Sequence, residues 1–222
     1  MKVQPDQETE IKLYVLDLDK IERRILESGG RLIQSRTFET NLRFDLPDGS
    51  LRREGRVLRL RRDQDSYLTY KGPSAITDGV LSRVEYECTV GDFEMARKTI
   101  EALGYQLIAV YEKYRSIFAL DDSLIMLDEL PYGPFVEIEG ADKDGIRRIT
   151  EKLGLNFDCA VLSSYLGLFE QLCQHEDLDP ENLTFTAPIQ TGDREESSLR
   201  LYIIEFYNYY LRLKDSNNRK SY

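Results

Sequence analysis

Charged and apolar residues alternate one for one in Glu8-Thr9-Glu10-Ile11-Lys12-Leu13, and few folds accept that pattern. In a β-strand alternate side chains share a face, so Glu8, Glu10 and Lys12 project one way and Thr9, Ile11 and Leu13 the other. Rows of the same kind recur down the chain. Arg59 and Arg61 share a face opposite Leu58 and Leu60, and Lys71 shares one with Thr69 and Tyr67. Arg83, Glu85 and Glu87 line up with Val84, Tyr86 and Cys88 behind them. Lys113 and Arg115 point together, Glu137 and Glu139 oppose Val136 and Ile138, and Asp128 sits with Met126 and Leu124 on a strand charged near one end.

Tight-turn signals join most of these rows, so they pair as antiparallel neighbours, with Asp121-Asp122 as one hairpin turn. The tally is eight or nine strands and a few helices. Residues 31–45 are extended and expected as two strands broken near Glu39-Asn41. Asp17 is placed to cap a helix with Leu18, Ile21, Ile25 and Leu26 on its apolar face, stopped by Gly29-Gly30. Further helical stripes follow Phe93 and Ile146, and another covers 164–174. The pair Glu-x-Glu occurs at 8/10, 85/87 and 137/139, each time ahead of a helix, which hints at pseudo-symmetry. Residues 1–174 form the body in this reading. Residues 175–198 are polar and proline-containing, a linker or loop. In 199–222, Leu199, Ile203, Phe206, Tyr210 and Leu213 recur at helical spacing before a polar tail, a helix that packs on the body or contacts another copy.

The bulk chemistry narrows the function. With 40 acidic and 30 basic residues the net charge is -10, so general binding to nucleic acid or a membrane surface is unfavourable, and a polyanion needs a local basic cluster. Three unpatterned cysteines, Cys88, Cys159 and Cys173, fit a reducing cytoplasm. No leader-like or membrane-spanning run is present in the sequence. The one histidine, His175, lies in a polar stretch, which leaves Ser/His and Cys/His nucleophiles without a base. Neither a P-loop nor Gly-x-Gly-x-x-Gly occurs.

The charged rows admit two readings. An antiparallel sheet can simply wet its polar face. These rows, however, are nearly pure charge, with acids dominating some strands and bases the others. If the sheet closes into a barrel, its inner row encloses a wet cavity in which unpaired charges are very costly. Ligands would then answer them, cations for the carboxylates and a polyanion for the bases. Oxygen-only acidic ligands select Mg²⁺ or Mn²⁺, arginines grip phosphate oxygens in pairs, and a linear triphosphate matches both sets.

The motifs Glu8-x-Glu10-x-Lys12, Leu58-Arg59-Leu60-Arg61, Leu68-Thr69-Tyr70-Lys71-Gly72, Leu81-Ser82-Arg83-Val84-Glu85-Tyr86-Glu87, Glu112-Lys113-Tyr114-Arg115, Leu127-Asp128 and Val136-Glu137-Ile138-Glu139-Gly140 stand in the order seen in CYTH proteins. Over residues 6–172 the chain resembles these triphosphate tunnel metalloenzymes, which include class IV adenylate cyclases, thiamine triphosphatases and inorganic triphosphatases. The resemblance implies an α+β fold, a closed eight-stranded antiparallel tunnel with flanking helices, binding a small-molecule triphosphate with Mg²⁺ or Mn²⁺. By carry-over Glu8, Glu10, Asp128, Glu137 and Glu139 are the metal ligands, and Glu85 and Glu87 belong to the metal set or a polar network. Lys12, Arg59, Arg61, Lys71, Arg83, Lys113 and Arg115 are the phosphate-binding set. Relatives often carry a tyrosine ahead of Phe-Asp, paired in some hydrolases with the motif lysine to activate water. Here Arg43 holds that place, which leaves Lys12 as the catalytic residue, or a metal-activated water. The expected activity is metal-dependent triphosphate hydrolysis. Alternatives are a class IV adenylate cyclase and a non-catalytic phosphoryl-ligand module, as monomer or homodimer with no nucleic-acid or membrane partner.

Overall fold

A computed structural model describes residues 7–173 and 179–186. Its elements run β1 (Gln7–Tyr14), α1 (Leu18–Glu27), β2 (Arg31–Asp45), α2 (Ser50–Arg53), β3 (Val57–Arg62), β4 (Ser66–Lys71) and β5 (Ala75–Thr77). They continue with β6 (Val80–Thr89), α3 (Phe93–Ala102), β7 (Gln106–Leu120), β8 (Ser123–Leu130), β9 (Gly133–Glu139), α4 (Lys143–Lys152), α5 (Tyr165–Cys173) and β10 (Asn182–Leu183). Eight antiparallel strands in the order β1-β9-β8-β7-β2-β3-β4-β6 close on themselves where β6 returns to β1. The stripe reading at 199–222 lies outside the described residues, as does His175.

The barrel is inverted relative to a globular core, charged inside and dry outside. Register explains it, because directly opposed residues share a face. Glu10 opposes Glu139 and Lys12 opposes Glu137, whereas Ile11 opposes Ile138 and Leu13 opposes Val136. The second set faces out, where Ile21 and Ile25 of α1, Ile146 and Ile149 of α4 and Leu153 just past its end join it with Ile125, Leu127, Phe118 and Leu120 in one cluster. Each such side chain, fully buried, contributes roughly 1.5–3 kcal/mol. Phe93 and Ile100 of α3 cover Leu42, Phe44, Leu58, Leu60 and Leu68 on another flank in the same way. The helices that follow the three Glu-x-Glu strands share one start signal. Asp17, Asp92 and Asp142 each accept a backbone N–H from the third helical residue, which satisfies a donor that the helix leaves orphaned.

The expected break in residues 31–45 does not occur. β2 runs unbroken over 15 residues beside the equally long β7, and register shifts at Leu32/Gln34, Gln34/Thr37 and Arg43/Phe44 absorb the bends. Glu39 and Asn41 read as turn chemistry only because they are polar. They face the charged interior, where Glu39 opposes Lys113. The hairpin at Asp121-Asp122 forms as expected, with Asp121 in the left-handed region at φ 51°.

α5 comes back to the barrel after a bridge between Lys12 and Val161, whose N–H donates to the Lys12 carbonyl at 2.7 Å. Its Tyr165, Leu166 and Phe169 pack with Tyr111, Tyr132 and Phe135. Further on, Asn182–Leu183 pair in parallel with β7, and Leu183 is buried. No helix among the described residues is long and apolar enough to cross a membrane.

Candidate active site

A cavity of about 450 Å³ runs through the barrel and is walled by the alternating charged residues. On the wall built by β1 and β9, Glu8, Glu10 and Glu137 each offer a carboxylate oxygen, all within 4.8 Å of one another. Glu139 opposes Glu10 and lines the same cavity. Both oxygens of Glu8 accept from Lys71 Nζ at 2.8 Å, and one accepts from Arg83 Nε at 3.0 Å. Lys12 donates to Glu10 and lies 3.3 Å from Glu137 Oε2.

Like charges this close cannot all be carried cheaply. Burial, then the neighbouring Glu137, pushes the Glu10 carboxyl up to about 7. Burial and the Glu8, Glu137 and Glu10 carboxylates push Glu139 up to about 7 as well. For Glu137, burial is outweighed by Lys12 and Arg115, and its carboxyl is held well below the usual range. Burial pulls Lys12 down, but Glu10 and Glu137 outweigh it, so this amine is held more firmly as an ammonium. Three converging carboxylates with hard oxygen donors fit a divalent cation, which would relieve their mutual repulsion.

The opposite side of the barrel, β2, β3 and β7, is basic. Arg61 lies 3.6 Å from Glu39 and 3.1 Å from Glu87, and Arg59 lies 3.4 Å from Glu87. The donors Arg43 Nε, Arg59 Nε, Arg61 Nε and Asn41 Nδ2 are buried without a hydrogen-bond partner, beside the unpartnered acceptors Asn41 Oδ1 and both Glu39 oxygens. Burial lowers the Arg43 pKa. Unmet donors concentrated on one wall are what a polyanion would satisfy.

The sequence-predicted residues divide by position. Glu8, Glu10 and Glu137 come together, with Glu139 beside them. Asp128 does not join them. It is fully buried and accepts two 2.6 Å bonds from Arg115, one of 3.2 Å from Lys113 and one of 2.8 Å from the Tyr165 hydroxyl. Glu87 accepts from Thr69 at 2.7 Å, and Glu85 pairs with Lys71 at 2.8 Å, so both sit in the polar network. Of the phosphate-binding set, Lys12, Lys71 and Arg83 lean on the carboxylate wall. Arg59, Arg61 and Lys113 form the basic one, and Arg115 bridges the two, pairing with Asp128 and lying 3.3 Å from Glu137.

Three interior residues escaped the sequence reading. Glu39 lies buried between Lys113 at 3.5 Å, Arg61 and Arg115. Tyr111 lines the cavity two residues before Lys113, and the parity that found Lys113 would have found it. Tyr165 enters from α5, with Lys12 and Lys113 each about 5.5 Å from its ring centroid, and strand parity has no hold on it.

A closed antiparallel tunnel with these walls defines a class of protein, and residues 6–154 match the CYTH domain model. The chain belongs to the CYTH domain family, whose members are adenylate cyclase-like enzymes and triphosphatases. Among solved structures it is similar to a proposed adenylate cyclase of Vibrio parahaemolyticus, at 22% identity and TM-score 0.68, over 75% of this chain and 99% of that one. A protein of Pyrococcus horikoshii OT3 is similar at 25% identity and TM-score 0.61, over 71% of this chain and 96% of that one. A proposed adenylyl cyclase of Hippeastrum, reported with a dominant triphosphatase activity, is similar at 16% identity and TM-score 0.57, over 74% and 95% of the two chains. No curated protein sequence matches the chain.

Proposed function

We propose that this protein hydrolyses a triphosphate substrate inside the tunnel with the help of Mg²⁺ or Mn²⁺. The observation that carries the reading is the division of the interior: a carboxylate trio on one wall faces buried guanidinium donors on the other. Glu8, Glu10 and Glu137, with Glu139 beside them, are the residues that would hold the metal, and a bound cation would neutralise charge on the phosphoryl oxygens. Arg43, Arg59, Arg61, Lys113 and Arg115 would bind the remaining phosphoryl oxygens and fix the chain of phosphates for in-line attack. Lys12, held as an ammonium, is suited to electrostatic stabilisation and not to taking a proton from water. A second cavity of about 680 Å³ shares Arg43, Ser164 and Leu166 with the tunnel, so an organic group on the triphosphate has room beside it.

One assay tests this function. Purified protein with Mg²⁺ or Mn²⁺ is offered inorganic triphosphate, thiamine triphosphate and ATP in parallel. Phosphate release is the expected outcome. Cyclic AMP with pyrophosphate would make the protein a cyclase, and binding without turnover under either metal would leave a phosphoryl-ligand module.

A further inference from the structure

Two tyrosines of the interior differ in what their hydroxyls meet. Tyr165 donates to Asp128 at 2.8 Å, and its proton is accounted for. Tyr111 accepts from Arg59 Nη1 at 3.5 Å, and among the described residues its own proton has no acceptor. The Tyr111 ring is held in the cluster with Phe135, Tyr165 and Leu166, which leaves the residue 7% exposed and fixes the direction of its hydroxyl. Ala109, the preceding inward residue of β7, stands opposite Arg43, and its small side chain leaves the space beside the phenol to that guanidinium.

The charges that act most strongly on the phenol are positive, Arg59 from β3, Lys113 from its own strand and Arg43 from β2, while Phe135 of β9 and Tyr165 of α5 bring uncharged rings. Burial favours the neutral phenol, but these cations outweigh it and lower the Tyr111 pKa. A more acidic hydroxyl is a stronger donor. Buried donors are ordinarily matched, so the missing partner is an acceptor that is itself attracted to Arg43 and Arg59.

We propose that Tyr111 is a substrate-binding residue whose hydroxyl donates a hydrogen bond to a phosphoryl oxygen gripped by Arg43 and Arg59. This assignment rests on the triphosphate reading above. It places one phosphoryl group beside β2, β3 and β7, across the barrel from the Glu8, Glu10 and Glu137 carboxylates. It also gives the site a directional contact to add to its charge, because a hydroxyl aimed by a fixed ring selects an oxygen position that mobile lysines do not.

The test is Tyr111→Phe, which keeps the packed ring and removes only the hydroxyl. Binding of a non-hydrolysable imidotriphosphate with Mg²⁺ is measured by calorimetry for both proteins, and kcat/KM on inorganic triphosphate is followed from pH 7 to 10. The expected result is about a 10- to 100-fold loss of affinity in the variant, with its melting temperature retained. The alkaline fall in wild-type kcat/KM should also disappear in Tyr111→Phe. If the wild type binds the imidotriphosphate and Tyr111→Phe binds it within twofold, the Tyr111 assignment is overturned while the function stands. If the wild type binds no triphosphate with any divalent metal, the function fails and Tyr111 loses its role with it.

Discussion

Glu10 and Glu39 are the same residue type in the same barrel, 2% and 0% exposed, and they are driven in opposite directions. Glu10 sits on the β1–β9 wall and is pushed up to about 7 by burial and the neighbouring Glu137. Glu39 sits on the β2–β7 wall, where Lys113, Arg115 and Arg61 outweigh burial and hold it down at about 2. Burial alone therefore does not set the charge of a buried carboxylate; its neighbours decide. One wall carries excess negative charge that a cation would relieve. The other pairs its acids, Glu39 and Asp128, with Lys113 and Arg115 and keeps the buried Nε donors of Arg43, Arg59 and Arg61 for an anion.

The largest expected effect lies on the basic side. Asp128→Ala would leave Lys113 and Arg115 without their main partner and free the Tyr165 hydroxyl. We expect a loss of about 3–5 kcal/mol in chemical denaturation, with Mn²⁺ affinity within a few-fold of wild type. A large loss of Mn²⁺ affinity with stability intact would instead put Asp128 on the metal wall and break the comparison. Next in size is Glu8→Ala on the acidic side. Metal-dependent turnover should fall by about 10²–10³-fold while circular dichroism shows the fold retained, and full activity in this variant would remove the trio from the site.

The smallest effect is a pH dependence that sharpens the contrast. In metal-free protein, Glu10 and Glu139 keep protons near neutrality that the unfolded chain loses around 4.5. Their contribution to stability is therefore full below that value and is lost as pH rises through about 7. Glu39 works the other way: its contribution is present above about 4.5 and is lost as pH falls toward 2. Denaturation with a chelator from pH 5 to pH 8 should show a decline of roughly 1–3 kcal/mol, flattened in Glu139→Gln. A stability that rises over this interval would mean that the carboxylates of β1 and β9 are already neutralised by protein cations.

The strands and most of both walls were legible because alternation carries face information without any knowledge of the fold. Parity put Glu8 with Glu10 and Glu137 with Glu139, the family resemblance joined the two pairs, and register makes Glu10 and Glu139 neighbours. Parity states which face a residue takes, and nothing about which strand lies across the barrel. Asp128 entered the metal set by carry-over from the family motif, and the β7–β8 register that sets it against Arg115 is not written in any one strand. Glu39 and Asn41 failed for another reason: polar residues inside a strand look like a turn until the inside is known to be wet. Tyr165 arrives from a helix, whose 3.6-residue period says nothing about a tunnel.

The barrel is fastened unevenly. β2 and β7 are joined along nearly their whole length, whereas β1 and β6 meet over four residue pairs, from Gln7–Val84 to Glu10–Leu81. Glu8 lies on that short seam, and its carboxylate reaches Arg83 on β6 and Lys71 on β4. The side chain that contributes to the acidic trio therefore also clasps the place where the wall is thinnest. A ligand that bound Glu8 would therefore also brace the β1–β6 seam, linking its affinity to the integrity of the cylinder.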